Sequence, residues 1–129
     1  MEKDLFQQFD NGVLAGAGQK INFGLCVWNK HKDFSGVSLK HLVAADQTNG
    51  LFSCHLVRIE PNHKIGLHTH PASIELHEVI KGSGTCLMNQ GEIHYVPGVM
   101  AVIARDEPHE VMAGEEGLFL FAKFITVPA

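Results

Sequence analysis

Residues 62–82, NHKIGLHTHPASIELHEVIKG, hold two histidines one residue apart and a glutamate five residues after the second. Side chains alternate between the two faces of a strand, so His68 and His70 point to the same side and could bind one metal ion together. Pro71 disfavours regular structure around it and predicts a turn, after which IELHEVI resumes an extended run. The pattern predicts a hairpin that brings Glu75 back beside the two histidines.

The spacing in this stretch resembles the first motif of the cupin superfamily. The matching positions are Asn62, His68, His70, Glu75 and Gly82. The family usually has glycine at the first of these positions. Asparagine is the residue that best replaces glycine in a left-handed turn, so Asn62 is compatible with the motif.

A second segment, GVMAVIARDEPH, resembles the second cupin motif, with matches at Gly98, Ala104, Asp106 and His109. The family usually has proline and glycine where Ala104 and Asp106 stand, and asparagine where Ala113 stands. These departures blur the motif but keep its strand–turn–strand character, and the histidine at position 109 is present. The two motifs span residues 62–109, and flanking strands extend the resemblance to about residues 34–127.

From Ser35 onward, short apolar or alternating runs are separated by turn residues. GVSLKHLVA and LFSCHLVRIE are strand candidates, and turns are predicted at residues 49–50, 82–84, 89–91, 97–98 and 115–117. About eight short strands without a long helical period predict an all-β sandwich or small barrel. The cupin resemblance implies a jelly-roll β-barrel over residues 34–127. The N-terminal arm, residues 1–32, remains unassigned apart from one possible strand, INFGLCVWN, and the length of 129 residues predicts a single domain.

The composition argues against several classes of partner. Charged residues make up 19% of the chain and the net charge is −4, so we expect neither a nucleic acid nor a membrane as partner. The N-terminal sequence lacks the apolar core of a signal peptide, and no apolar run reaches membrane-spanning length. We therefore expect a cytoplasmic protein. Three cysteines, Cys26, Cys54 and Cys86, contain no CxxC pair and are expected to be reduced structural thiols.

The cupin resemblance implies a metal site with four protein ligands: His68, His70, Glu75 and His109. Three imidazoles and one carboxylate suit divalent iron, manganese, nickel, cobalt, copper or zinc, and family analogy favours the first three. In an octahedral shell this set leaves two positions open, which favours a chelating substrate. One carboxylate beside a dication leaves a formal charge of about +1, which attracts carboxylates and enolates.

Three further residues are candidates for the chemistry. His77 follows Glu75 on the same strand face and is interpreted as a fifth ligand, a proton shuttle or a hydrogen-bond partner of a ligand, with the last favoured. His55 and Arg58 lie on opposite faces of one strand, so only one of them can face the cavity, and the alternation does not decide which. An inward Arg58 would anchor a carboxylate. The histidines without a partner at ligand spacing are expected to be surface or structural residues: His31, His41, His63 and His94.

The leading functional hypothesis is a metal-dependent enzyme of dioxygenase, decarboxylase or isomerase type that acts on a small polar or anionic metabolite. The alternatives are a non-catalytic module that binds a small ligand or a metal, and a metal-free sugar epimerase, which the four retained ligands disfavour. Apolar residues on both faces of CHLVRI and LFLFAKFITV predict that the outer face of one sheet is covered. Because a second copy is the commonest cover, we expect a homodimer.

Overall fold

The computed structural model describes residues 2–16 and 18–128. Within these ranges the helical elements are α1 (Leu5–Asp10) and two 3-10 turns, Phe23–Leu25 and Ala45–Thr48. The strands are β1 (Val13–Gly16), β2 (Gln19–Asn22), β3 (Asn29–Lys30), β4 (Val37–Val43), β5 (Phe52–Ile59), β6 (Lys64–His68), β7 (Ser73–Met88), β8 (Gly91–Tyr95), β9 (Met100–Ile103) and β10 (His109–Thr126). The predicted all-β class is confirmed. None of the described helices is long and apolar enough to cross a membrane.

Eight strands form one sheet, and β1 pairs with β2 in a separate hairpin. The main order is β3-β4-β5-β10-β7-β8, with β6 added to β10 and β9 added to β7. Its two end strands, β3 and β8, are not paired with each other in the part of the chain described here. The β content agrees with the prediction, but hydrogen bonds do not close the sheet into the predicted barrel.

The strand pattern also differs from the prediction, because the turns predicted at residues 82–84 and 115–117 are bends inside β7 and β10. Gly82 and Gly117 have φ values of 79° and 83°, which glycine adopts without strain. The pairing of β7 with β10 shifts register between Ala113 and Leu118, as in a β-bulge. Both strands therefore bend together and continue, where the sequence suggested that each would end.

The bends divide the sheet into two layers that share β7 and β10. The first layer contains β3, β4, β5, β9, the first half of β7 and the second half of β10. The second layer contains β6, β8, the second half of β7 and the first half of β10. Buried residues of both layers, such as Leu120 of the first and Val111 of the second, belong to one apolar cluster. The layers therefore pack face to face, and their inner faces form the main core.

The outer face of the first layer carries a second apolar cluster. Its buried members are Phe6, Phe23, Leu42, Cys54, Leu56 and Phe121. Because Phe6 comes from α1 and Phe23 from the 3-10 turn that follows β2, the N-terminal arm covers this face. Phe6 packs edge-on against Phe119, with ring centroids 4.8 Å apart. The chain thus covers by itself the apolar face on which the homodimer prediction rested, and that face no longer supports a dimer.

Polar contacts fix the arm to the sheet. A capping box starts α1, because Gln7 N donates to Asp4 Oδ1 at 2.8 Å and Asp4 N donates to Gln7 Oε1 at 2.9 Å. Lys40 of β4 is buried beneath the arm, and its ammonium donates to the Asp10 carboxylate and, at 2.8 Å, to the Asp10 main-chain oxygen. Trp28 Nε1 also donates to the Asp10 carboxylate, at 3.1 Å. The end of α1 is therefore held by a buried cation.

Candidate metal centre

The four residues of the predicted metal site lie together between the two layers. Their candidate ligand atoms all lie within 4.8 Å of one another. The residues are His68, His70, Glu75 and His109. Glu75 and His109 are buried, while the His70 side chain is 31% exposed, so solvent reaches the cluster on the His70 side.

The strand pairing that assembles this cluster differs from the predicted hairpin. β6 and β7 both pair with β10, and His68 is the direct partner of His109 in the second layer. Glu75 is paired with Phe124 in the first layer. Residues 69–72 therefore carry the chain from one layer to the other, and Glu75 meets the histidines across the interior. The predicted neighbourhood is correct, but the predicted pairing of β6 with β7 is wrong.

Two residues in left-handed conformations shape the ends of the motifs. Asn62 has a φ of 63°, which agrees with its interpretation as a substitute for glycine. Asp106 has a φ of 65°, at the position where the cupin motif usually has glycine. Its main-chain N–H donates to His70 O at 3.0 Å, which ties the turn before His109 to the turn after His68. The two sequence motifs are thus joined directly at the site.

Hydrogen bonds to main-chain oxygens orient two of the imidazoles. His68 Nδ1 lies 2.7 Å from Gly66 O, and His109 Nδ1 lies 2.9 Å from Glu107 O. A carbonyl can only accept, so each Nδ1 carries the proton and each Nε2 faces the cluster. This is the tautomer that a metal requires when Nε2 is the ligand atom.

Glu75 is the acidic centre of a buried hydrogen-bond network. Its Oε1 lies 3.0 Å from His109 Nε2, and its Oε2 lies 2.8 Å from His77 Nε2. Burial alone would raise the pKa of Glu75, but the hydrogen bonds from His109 and His77 outweigh it and hold the pKa well below its usual value. For His109 the effects are opposite. Burial alone would lower its pKa, but the hydrogen bond to Glu75 outweighs burial, so the pKa of His109 is raised above its usual value. With a carbonyl at Nδ1 and a carboxylate at Nε2, His109 is favoured as an imidazolium without metal.

His77 lies behind Glu75, and both of its ring nitrogens are occupied. Nε2 contacts Glu75, and Nδ1 lies 2.8 Å from the hydroxyl of Tyr95. Because the carboxylate can only accept, Nε2 carries the proton and Tyr95 donates to Nδ1. A chain of donors thus runs from Tyr95 through His77 to Glu75. This position suits a hydrogen-bond partner of a ligand, and it leaves His77 no free nitrogen for a metal.

His70 differs from the other members of the cluster because its Nε2 is buried and has no hydrogen-bond partner. The nearest carboxylate oxygen, Glu75 Oε1, is 3.5 Å away. Burial lowers the pKa of both His70 and His68, which favours neutral imidazoles with free lone pairs. An unpaired buried nitrogen directed at a carboxylate and two further imidazoles matches the donor set of a divalent transition metal.

The structure also decides which side chain of β5 faces the interior. His55 pairs with Ala122, which in turn pairs with His77, so His55 shares the inner face with His77. Arg58 lies on the opposite face, where its guanidinium carbon is 4.2 Å from the centroid of the Trp28 ring. Arg58 is therefore not an inward carboxylate anchor. It packs on the N-terminal arm.

Comparison with known proteins agrees with this geometry. A family model described as "Cupin domain" matches residues 55–122, which cover more than half of the chain. The chain belongs to the cupin domain family. No curated protein gives a significant match to the sequence.

Solved cupin structures share the fold at low sequence identity. A predicted oxalate decarboxylase from Thermotoga maritima is 19% identical with a TM-score of 0.71, and the match covers 79% of this chain and 92% of that one. The polyketide cyclase RemF from Streptomyces resistomycificus is 17% identical with a TM-score of 0.73, covering 85% and 82% of the two chains. A cupin-2 domain from Rhodospirillum rubrum is 13% identical with a TM-score of 0.72, covering 90% and 80%. These similarities establish the fold of this cupin.

Sequence reasoning missed Tyr95, which lies next to the cluster of this cupin, and it interpreted Phe124 only as core or cavity wall. Tyr95 is fully buried and bonded to His77, and the alternation of EIHYV could have placed it on the inner face. Phe124 packs against His70, with ring centroids 4.9 Å apart, and it is the direct strand partner of Glu75. Only the non-local pairing of β10 with β7 reveals that contact. Among the histidines expected to be surface or structural residues, His41 and His94 are both exposed, and the ring of His41 also packs against His55.

Proposed function

We propose that this cupin binds one divalent transition metal through His68, His70, Glu75 and His109, and that it is a metal-dependent enzyme acting on a small polar or anionic metabolite. The observation that carries the proposal is the buried, unpaired His70 Nε2 within a group of ligand atoms that all lie within 4.8 Å of one another. Iron, manganese and nickel remain the favoured metals, with zinc, cobalt and copper as alternatives. A jelly-roll architecture and a cytoplasmic location remain our expectations. A homodimer also remains an expectation, but the outer face covered by the N-terminal arm no longer supports it.

The chemistry of the donor set supports an enzymatic role. A divalent metal in this site would polarise a carbonyl or stabilise an enolate, and iron could also activate oxygen. His68 and His109 present Nε2 because their Nδ1 protons are held by main-chain oxygens. Glu75 supplies the single negative charge, and the hydrogen bond from His77 keeps that carboxylate oriented. The reaction type is proposed as dioxygenation, decarboxylation or isomerisation, and structural neighbours include a predicted oxalate decarboxylase and a polyketide cyclase.

Elemental analysis of untagged protein tests metal binding, with about one ion per chain expected. Removing a residue that only hydrogen-bonds to a metal ligand typically lowers metal affinity about 10–100-fold. Removing a ligand itself should cost more, so we expect His70→Ala or His109→Ala to weaken metal binding by about 100-fold or more. The matched control is His94→Ala, because His94 is exposed and remote from the cluster. Unchanged metal affinity in His109→Ala would remove that residue from the site.

Glu75→Gln tests the carboxylate separately. The amide keeps the shape and an oxygen donor but removes the charge, so we expect folded protein, weaker cobalt binding and loss of most activity. Cobalt spectra report the set of donor atoms, and an unchanged spectrum with near-native affinity would leave a three-histidine site. Aerobic and anaerobic turnover of small hydroxy and oxo acids then distinguishes an enzyme from a non-catalytic binding module.

A further inference from the structure

A row of strand partners crosses the inner face of the first layer through His77, the next residue after Glu75 on the same face of β7. Its members are direct strand partners in the order His41, His55, Ala122, His77 and Ala101. The neighbouring row contains Ser53, Phe124, Glu75 and Ile103. Because residues of one strand alternate between faces, every second residue joins the same face, and both rows face the interior. His55 therefore lies on the same face as the proposed metal ligand Glu75.

His55 resembles His70 in one respect: it is a buried histidine with an unpaired ring nitrogen. The residue is 8% exposed. Its Nε2 lies 3.0 Å from Ser53 Oγ, but its Nδ1 is buried and has no hydrogen-bond partner. Buried side-chain nitrogens are normally satisfied, so each exception calls for an explanation. The proposed metal explains His70 Nε2, whereas no residue that the structure describes explains His55 Nδ1.

One aromatic ring separates His55 from the metal cluster. The centroid of the Phe124 ring is 5.6 Å from that of His55 and 4.9 Å from that of His70, and both pairs meet edge to face. Between His55 and His77 the row contains only the methyl side chain of Ala122. The interior therefore offers the proposed metal ligands, then an apolar ring, then an unpaired polar nitrogen on His55.

We propose that His55 Nδ1 binds an uncharged hydroxyl group of a ligand whose other end chelates the metal, with the intervening carbon atoms packed on Phe124. This inference rests on the proposed function, because the metal provides the first anchor. A hydroxyl fits His55 in either tautomer, since it can both donate and accept a hydrogen bond. Burial, followed by the charge of His41, lowers the pKa of His55 to about 4, so the imidazole is neutral at pH 7. A neutral buried ring offers no charge to compensate a second carboxylate.

The substrate class that follows is a short hydroxy acid or oxo acid with a second hydroxyl beyond the chelating group. Two probes that differ only there are 2-hydroxybutanoate and 2,4-dihydroxybutanoate, and oxalate serves as a chelator without a distal group. Their dissociation constants are measured from the change that each causes in the visible spectrum of the cobalt-loaded protein. The ratio of the first two constants isolates the effect of the distal hydroxyl.

We expect the distal hydroxyl to tighten binding to the unmodified protein, and His55→Ala to remove about five-fold of that preference, as for loss of one hydrogen bond. His55→Gln, whose amide can still donate and accept, should retain part of it and also serves if the alanine variant does not fold. Arg58→Ala is the matched control, because Arg58 is on the opposite face of the same strand. Its ratio should not change.

The outcomes separate this inference from the proposed function. If cobalt and oxalate bind normally but His55→Ala leaves the ratio unchanged, the metal site stands and the role of His55 is overturned; a water molecule bound to Nδ1 would give that result. If the unmodified protein binds no cobalt, the proposed function fails and the ligand loses its anchor. Tighter binding of malate than of 2,4-dihydroxybutanoate, with the difference lost in His55→Ala, would contradict the uncharged partner.

Discussion

The two faces of the first layer are built from the same strands and each carries a buried apolar cluster, yet the faces differ in how their polar groups are satisfied. In the interior, His55 on the inner face and His70 in the connection between the layers each keep a buried nitrogen without a partner. On the outer face, the buried Lys40 ammonium is fully engaged with Asp10 of the N-terminal arm. Unpaired polar atoms cost stability unless a ligand satisfies them. The difference agrees with a structural role for the Lys40–Asp10 pair and with the ligand-binding role that we propose for the unpaired nitrogens, although the inner faces also form the main core.

Replacing Phe6 should give the largest effect on stability without touching the site. Phe6 is 5% exposed and packs on Phe119, so Phe6→Ala should lower the free energy of unfolding by about 3–5 kcal/mol, measured by urea denaturation. Metal content of the folded protein should stay the same. Phe9→Ala is the control, because Phe9 is 39% exposed and should lose much less. A loss of metal affinity in folded Phe6→Ala would show that the two faces are coupled.

Metal removal is the corresponding test of the inner face. A ligand that binds only the folded state adds about 4 kcal/mol when its concentration is 1,000 times its Kd, so chelation should lower Tm in proportion to the metal supplied. The fold should survive, because both apolar clusters remain packed. Circular dichroism and thermal denaturation with and without chelator measure this. Complete unfolding at 25 °C after chelation would mean that the metal contributes far more to stability than the packing of the apolar clusters.

The Lys40–Asp10 pair tests whether the arm is held by charge. Lys40 is 3% exposed and Asp10 is 26% exposed. Asp10→Asn leaves the ammonium without its counter-ion and should cost about 2–3 kcal/mol, below the range for a fully buried pair because Asp10 is partly solvated. Lys40→Met in the same chain should recover most of the loss. If the double variant is as unstable as Asp10→Asn, unpaired charge is not the cause.

The smallest expected effect is the change of Tm with pH. As pH rises, the His109 contribution to Tm should fall in the metal-free protein and rise in the metal-bound protein. The pKa of His109 is raised, so in metal-free protein its contribution is present below about pH 6.5 and is lost as pH rises through the folded value. With metal, that proton must leave His109, so metal binding strengthens over the same rise in pH, by at most about 1.4 kcal/mol per pH unit. Tm measured from pH 6.5 to 8.5 should separate the two forms. Parallel curves would exclude His109 as the group that exchanges its proton for metal.

Three of the four proposed metal ligands could be placed from local sequence, whereas His109 entered only through the resemblance to the second cupin motif. Strand alternation placed His68 and His70 on one side, and the turn at Pro71 placed Glu75 nearby. The pairing that brings these residues together could not be predicted in the same way, since β10 joins β6 to β7 through contacts distant in sequence. The glycines at 82 and 117 looked like the ends of strands. In fact a Cβ on Gly82 would lie 2.1 Å from Gly117 O, so they mark a close approach between two continuous strands.

The orientation of β5 was undecidable from sequence for a related reason. Alternation identifies the inner face only when the outer face is polar, and here the N-terminal arm allows the outer face to be apolar as well. Leu56 is therefore buried beneath the arm, while His55 on the next position is buried in the interior. The arm itself gave little signal, because α1 and the β1–β2 hairpin are short and are stabilised by packing on the sheet. The same covering removed the basis for predicting a dimer.

The sharing of β7 and β10 between the two layers has a consequence for how the protein opens. Because β7 and β10 run through both layers, opening of one layer disturbs strands on which the other layer also depends. Amide protons of both layers should therefore exchange with solvent in one global event, whereas amides of the N-terminal arm exchange earlier through local detachment. An ion held between the layers would slow exchange throughout the whole sheet. Slower amide exchange in strands far from His109 would then report metal binding between the layers.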